Sequence, residues 1–216
     1  MYYIQRVRIH IMRTKTFNLP FWKYCLLLML CLVVNVYSKG ESLTYAVMKG
    51  SETIGHIHID RTKKNDITEY FFESTVKLTF IFSIEVYDRM RVVFKGNQLL
   101  QAQLYRTLNG NVKVNNSATW NGKAYIMNNK DNEHSSLQHL IYLTTANLYY
   151  QEPININAVF SEKFQKMIPI KHAGNKRYLL DLPNGNKAYY SYANGICSLV
   201  EAETDWASLK FVLIKK

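Results

Sequence analysis

Acidic residues are missing from the first 38 positions, and cysteine is almost missing from the remainder. Residues 1–38 contain no Asp or Glu but carry Arg6, Arg8, Arg13, Lys15 and Lys23. The apolar run at 24–35 falls short of the roughly 20 residues that a membrane span needs. A basic start, a short apolar middle and the compact exit Val36-Tyr37-Ser38 have the layout of a secretory signal peptide cut after Ser38. Met12 serves as a start as well as Met1, because the segment from Met12 onward already has this layout. The bulky Leu30 before Cys31 is wrong for a lipoprotein signal. Export to the periplasm or the extracellular space is therefore expected, with no stable transmembrane span after cleavage. Of three cysteines, Cys25 and Cys31 leave with the leader. Cys197 then has no partner within the chain, so an intramolecular disulfide is excluded and a hydrophobic core must supply the stability.

Other absences narrow the function classes. The sequence has no G-x-S-x-G, no H-E-x-x-H and no phosphate loop, and no carboxylates pair in a recognisable frame. Neither an enzyme nor a cofactor is expected. The net charge of +11 includes the five basic residues of the leader, and the rest is scattered without a basic block. Such scatter in an exported chain speaks against nucleic acid as a partner.

What the sequence has is turns between alternating strands. Asn109-Gly110, Asn121-Gly122, Asn184-Gly185 and Asn194-Gly195 supply the positive φ of two-residue hairpin turns. Across Asn184-Gly185 that geometry sets Leu180 opposite Tyr189 and Leu179 opposite Tyr190. Across Asn194-Gly195 it sets Tyr190 opposite Leu199 and Tyr192 opposite Cys197. Across Asn109-Gly110 it pairs Thr107 with Val112, Tyr105 with Val114 and Arg106 with Lys113. Alternation also predicts strands at 42–49 and 53–62, with Leu43, Tyr45, Val47, Ile57 and Ile59 on the apolar side. Residues 68–86 read as one long strand, with a bulge at Phe80-Ile81-Phe82 where the pattern slips by one. Strands follow at 89–95, 99–108, 112–120 and 123–127, with a last one at 208–214.

Residues 135–150 break the pattern. Leu137, Leu140, Ile141 and Leu148 fall at helical spacing, Ser135 or Ser136 can cap the start, and Pro153 ends the run. Residues 158–170 read either as a strand pair or as a strand with a turn. The expected fold is mainly β: an antiparallel meander curled into a barrel or half-barrel, with one covering helix. Residues 39–216 form its single domain.

Several short stretches carry a resemblance: L-T-Y-x-V at 43–47, Ile54-Gly55, Trp120-Asn121-Gly122, L-Y-Y-Q-E-P at 148–153 and Y-x-Y-x-N-G-I at 190–196. Together they resemble the uncharacterised exported β-proteins of Bacteroidetes-type bacteria, a domain-of-unknown-function family similar to periplasmic half-barrel or spiral β-roll proteins. The resemblance implies a fold and a compartment. It implies no activity, because its motifs are turns and core aromatics.

Three sets of residues invite a chemical reading. His56 and His58 point the same way from one strand, as metal ligands do. His134, His139, His172, Asp60 and Glu85 offer no site spacing for the further ligands, so no metal is expected. Cys197, with His172 nearby in sequence, lies on an apolar face with Tyr192 and Leu199 and reads as a small core residue. The tyrosines are more suggestive. Tyr105, Trp120, Leu179, Tyr190, Tyr192 and Leu199 are the candidate residues facing an apolar ligand in a curved sheet. Two functions follow: an envelope protein that binds a lipid or acyl chain, or a structural module with a filled core that binds another envelope protein.

Overall fold

The computed structural model describes residues 39–79, 83–204 and 207–216. Residues 1–38, expected from the sequence to form a signal peptide, lie outside the described residues, as do Phe80-Ile81-Phe82. Fourteen strands among the described residues form one sheet in which every neighbouring pair is antiparallel. The strands are β1 Lys39–Lys49, β2 Glu52–Lys64, β3 Ile67–Thr79, β4 Ser83–Lys95, β5 Gln98–Leu108, β6 Asn111–Trp120, β7 Tyr125–Asn128 and β8 His134–Leu137. Then come β9 Ala158–Ser161, β10 Lys166–His172, β11 Arg177–Asp181, β12 Lys187–Ala193, β13 Ile196–Glu203 and β14 Ser208–Lys215. The order β8-β7-β6-β5-β4-β3-β2-β1-β14-β13-β12-β11-β10-β9 places the two chain-terminal strands side by side in the middle. Two meanders thus run outward from the β1–β14 pair.

Alternation decides which face is buried. Leu43, Tyr45 and Val47 of β1, Ile59 of β2, and Tyr70, Phe72, Ser74, Val76 and Leu78 of β3 all turn inward and are buried. Between these, Glu73, Thr75 and Lys77 of β3 point outward and are exposed. One wet and one dry face is the usual signature of an antiparallel sheet. Each fully buried aliphatic or aromatic side chain contributes about 1.5–3 kcal/mol.

The two sheet ends approach each other without a continuous backbone ladder. Asn116 of β6 donates its Nδ2 to the carbonyls of Glu162 (3.1 Å) and Lys163 (2.7 Å), beyond β9. Gln165 donates its Nε2 to the carbonyls of Ser117 (2.8 Å) and Asn128 (3.0 Å). These side-chain bonds form a seam that makes the curled sheet barrel-like.

Four readings from the sequence are corrected. The long bent strand at 68–86 is a hairpin: β3 and β4 pair along their whole length, with Thr79 opposite Ser83. The expected single strand is therefore two, one ending at Thr79 and the next beginning at Ser83.

The covering helix is absent. Residues 135–150 instead form the strand β8, an extended stretch and a single 3₁₀ turn at Asn147–Tyr149. Ile141 and Leu143 are buried while Tyr142 between them is exposed, a period of two. The backbone of this segment is satisfied by long-range partners. Leu99 N–H donates to the Ile141 carbonyl (2.9 Å) and Phe160 N–H to that of Leu143 (3.0 Å). Tyr125 accepts from Ile141 N–H (3.2 Å), and the Tyr192 hydroxyl donates to the Leu148 carbonyl (2.8 Å). Buried backbone groups need partners, and here the barrel supplies what a helix would otherwise supply.

The register at Asn184-Gly185 is shifted by one. Asp181 pairs with Lys187, Leu180 with Ala188, Leu179 with Tyr189 and Tyr178 with Tyr190. Pro183 lengthens the loop to three residues with Gly185 at φ 86°, the form in which a type I turn precedes a left-handed residue. A one-residue shift exchanges faces, so Tyr178 and Leu180 are buried and Leu179 is only half-buried.

Bulges cause the remaining differences. Asn194-Gly195 forms the expected turn, and Tyr192 does pair with Cys197. A shift between Ser191 and Tyr192 then places Val200 opposite Tyr190, and Leu199 opposite Ser191. Thr107 pairs with Val112 as expected, but the next shift sets Arg106 opposite Val114 and Tyr105 opposite Asn115. Residues 158–170 resolve as a strand pair, β9 with β10.

Candidate ligand cavity

Residues 141–150 enter the barrel at one end and fill that end. Tyr149 sits at the centre of an aromatic cluster, with ring centroids 5.3 Å from Tyr45, 5.3 Å from Phe72 and 6.0 Å from Tyr190, all edge to face. Tyr45 donates its hydroxyl to the Cys197 carbonyl (2.7 Å). Tyr150 places its hydroxyl 2.8 Å from the carbonyls of both Glu41 and Ile59. Asn147 accepts from Thr144 N–H (2.8 Å) and donates to the Tyr70 hydroxyl (3.2 Å). Burial pushes the hydroxyls of Tyr149 and Tyr190 well above the ordinary tyrosine range.

Above this plug the barrel is not filled. A cavity of about 320 Å³ has Phe72, Tyr149 and Tyr190 among its lining residues. Its walls are the inward side chains of successive strands, such as Val47, Ile57, Val76, Leu78, Met90, Leu104, Leu180, Val200 and Phe211. The cavity reaches solvent past the exposed residues Lys163, Asn184 and Glu203. Concave, apolar and sparsely polar is the usual character of a small-molecule site, and this volume lies at the small end of that class.

The polar groups of the lining include two notable features. Arg106 binds Asp88 in a two-pronged pair, with Nε–Oδ1 at 2.5 Å and Nη2–Oδ2 at 2.8 Å. The expected Arg106–Lys113 apposition is thus replaced by an ion pair from β5 to β4. Glu162 is the second feature. It is 3% exposed and is the only buried carboxyl among the described residues. It accepts from the Thr145 hydroxyl and, at 3.4 Å, from Ala146 N–H. Burial pushes its carboxyl above the ordinary carboxylate range, and the hydrogen bonds to Thr145, Thr144 and the backbone oppose that shift.

A larger recess of about 680 Å³ lies elsewhere, around Arg61, Lys63, Asn97, Tyr142 and Gln151. It is a polar surface groove flanked by the Arg61–Glu41 ion pair. The smaller cavity is the better candidate for an apolar ligand because its walls are continuous hydrophobic sheet.

Of the six residues expected to face a ligand, Tyr190 lines the cavity. Tyr192 is buried beside the plug, edge to face with Tyr178 at 5.6 Å. Trp120 packs against Tyr125 at 4.9 Å, away from the lining. Tyr105, Leu179 and Leu199 are half-buried at positions that alternate with cavity-facing neighbours and do not line it. Glu162, Met90 and the plug residue Tyr149 are among the lining groups that sequence reasoning missed. Alternation could have found Met90, but nothing local marks Glu162, whose burial arises at the seam with β6.

The other candidate groups have plain environments. Cys197 is fully buried, and burial pushes its thiol up to about 12. His56 and His58 are exposed on β2 with their rings 6.4 Å apart. No group of three or more His, Cys, Asp or Glu among the described residues could hold a metal ion. No helix among the described residues is long and apolar enough to cross a membrane.

Comparison with known proteins agrees with this architecture. Residues 45–214 match the family described as "Domain of unknown function (DUF6134)". A solved structure, a beta-barrel-like protein of domain of unknown function DUF1849 from Brucella abortus, superposes with a TM-score of 0.50 at 8% sequence identity. The match covers 83% of this chain and 98% of that one, and at this identity it speaks for the fold alone. The curated proteins give no match.

Proposed function

The chain belongs to the DUF6134 family, and we propose that this member is an exported, non-enzymatic cell-envelope protein that holds a hydrophobic molecule, a lipid or acyl chain, in the lumen of its curved sheet. The observation that carries this reading is the apolar cavity of about 320 Å³, floored by aromatic rings and reaching solvent at one end. At about 30 Å³ per water-sized group, the volume admits a chain of roughly ten heavy atoms. Burying ten methylenes yields about 8 kcal/mol gross. Association costs remove 4 kcal/mol or more, which leaves affinities of about millimolar or weaker. That range suits a carrier that loads and unloads. Export rests on the basic, acid-free leader. Burial pushes the Cys197 thiol up to about 12, which speaks against a cysteine nucleophile.

A second reading, an interaction module with a filled core, draws on the plugged half of the barrel. Native mass spectrometry of the mature protein purified from its host envelope separates the two. A bound mass released by organic solvent is expected. A clean apo mass, together with no uptake of an added medium-chain fatty-acid probe, would refute the carrier reading.

A further inference from the structure

Large apolar side chains are exposed at eight positions among the described residues. Val112, Ile126, Met167 and Ile214 stand singly on four different strands, which is ordinary for a protein surface. The other four fall within one stretch: Leu140 (41% exposed), Tyr142 (59%), Ile154 (62%) and Ile156 (36%). Leu140 and Tyr142 alternate with the buried Ile141 and Leu143, and so share the outer side of the plug segment. Ile154 stands at a turn through Asn155, whose φ is 58°. Tyr142 and Ile156 form lips of the polar recess of about 680 Å³. That recess takes Arg61 and Lys63 of β2 and Thr68 and Tyr70 of β3, whereas the apolar cavity takes Ile57, Phe72, Val76 and Leu78 of the same strands. The two therefore lie at opposite ends of the barrel.

Charge points to what covers these side chains. Arg61 pairs with Glu41, Lys95 lies 4.0 Å from Asp66, and Glu152 accepts from the Tyr178 hydroxyl at 2.8 Å. Lys63, which lines the recess, and the exposed Lys64 beside it have no ion-pair partner among the described residues. The surplus at this end is positive. Asn97 and Gln151 add side-chain amides to the recess. Separate apolar tips around a polar hollow do not make the dry, closely packed patch that a protein partner needs. They match the interfacial zone of a bilayer, where aliphatic groups enter the acyl boundary, tyrosine sits at headgroup level and lysine meets lipid phosphate.

We propose that this plugged end of the barrel docks on a bilayer surface containing anionic lipid, with Leu140, Tyr142, Ile154 and Ile156 entering the acyl boundary and Lys63 in the recess binding a lipid phosphate. The docking does not depend on the lumen holding a ligand. The cavity mouth then faces away from the membrane surface.

The test is co-sedimentation of the mature protein with sucrose-loaded vesicles at about 0.1 M salt. The vesicles are phosphatidylcholine alone, or phosphatidylcholine with one-third phosphatidylglycerol. Partitioning is expected to be about tenfold stronger on the anionic vesicles. Lys63→Gln/Lys64→Gln should remove most of that preference. Tyr142→Ser/Ile154→Ser, at exposed positions, should keep the wild-type Tm and bind anionic vesicles about tenfold more weakly. Val112→Ser/Met167→Ser, on strands elsewhere, should bind as wild type. No binding to either vesicle, an anionic preference under about threefold, or an equal loss in the Val112→Ser/Met167→Ser control overturns the proposal. So does a dimer in sedimentation velocity that Tyr142→Ser/Ile154→Ser dissociates, which would assign the patch to a second copy. If Tyr142→Ser/Ile154→Ser does not fold, the lysine variant and the two vesicle types decide. Uptake of the fatty-acid probe by the lumen tests the carrier reading separately.

Discussion

Gly55 lies in β2 opposite Val76 of β3, where the two backbones meet closely. A Cβ at position 55 would lie 2.2 Å from the Thr75 carbonyl oxygen and 2.9 Å from the Val76 Cα. Ordinary carbon–oxygen contacts begin near 3.3 Å, so the Gly55→Ala variant must part the strands by about 1 Å. Backbone on both sides leaves no flexible side chain to yield. Parting by that distance takes two neighbouring ladder bonds beyond hydrogen-bond range, at about 1 kcal/mol net each. Overpacking adds about 1–3 kcal/mol, and the lower backbone entropy of Ala returns about 0.5–1. The expected loss is therefore about 3 kcal/mol, or about 6–12 °C in Tm for a domain of this size. Gly40→Ala is the control, because a Cβ there meets nothing within 4 Å and its φ is not in the left-handed region. It is expected to be neutral or slightly stabilising. Thermal unfolding followed by circular dichroism measures both. A Gly55→Ala loss below about 2 °C would refute the close-approach argument. Ile57 and Val76 line the cavity beside this site, so uptake of a neutral, apolar naphthylamine fluorophore should weaken along with stability.

Three further outcomes follow from the interior. Tyr149→Ala removes the ring in contact with Tyr45, Phe72 and Tyr190. It should cost about 3–5 kcal/mol and, if the protein remains folded, lengthen the chain preferred in a displacement series; an unchanged length optimum would contradict the placement of the floor. Asn147→Ala strands the buried Thr144 N–H and should cost about 1–3 kcal/mol in urea unfolding, whereas a loss under 0.5 would argue against the bond. Cys197 should resist a thiol reagent in the native state and react fully in denaturant. Its folded pKa of about 12 exceeds the usual thiol value, so its contribution to stability is complete below the unfolded pKa and fades as pH rises toward the folded one. Between pH 8.5 and 10, wild type should lose stability by up to about 1.4 kcal/mol per pH unit from this thiol, and Cys197→Ala should lack that slope.

The reach of sequence reasoning shows at particular residues. Leu43, Tyr45, Val47 and Ile59 were legible as an inner face because strand alternation is a local property, and all four are buried. The two-residue turns at Asn109-Gly110 and Asn194-Gly195 were legible because positive φ is a demand on one or two residues. Pro183 changed a loop length by one and inverted the faces of β11 relative to that expectation. The bulges beyond Thr107 and Tyr192 did the same on a smaller scale.

The sequence by itself determined that this chain is an antiparallel meander with an aromatic interior, because hydrophobic alternation and turn chemistry act over a few neighbours. Only the tertiary structure decided that 141–150 is an extended plug and not a helix, since its backbone partners lie on Leu99, Phe160 and the tyrosines of distant strands. It also decided that Glu162 is buried and that the lumen is filled at one end and hollow at the other. Those outcomes depend on how the two ends of the curled sheet meet at Asn116 and Gln165, a long-range closure that no local pattern encodes.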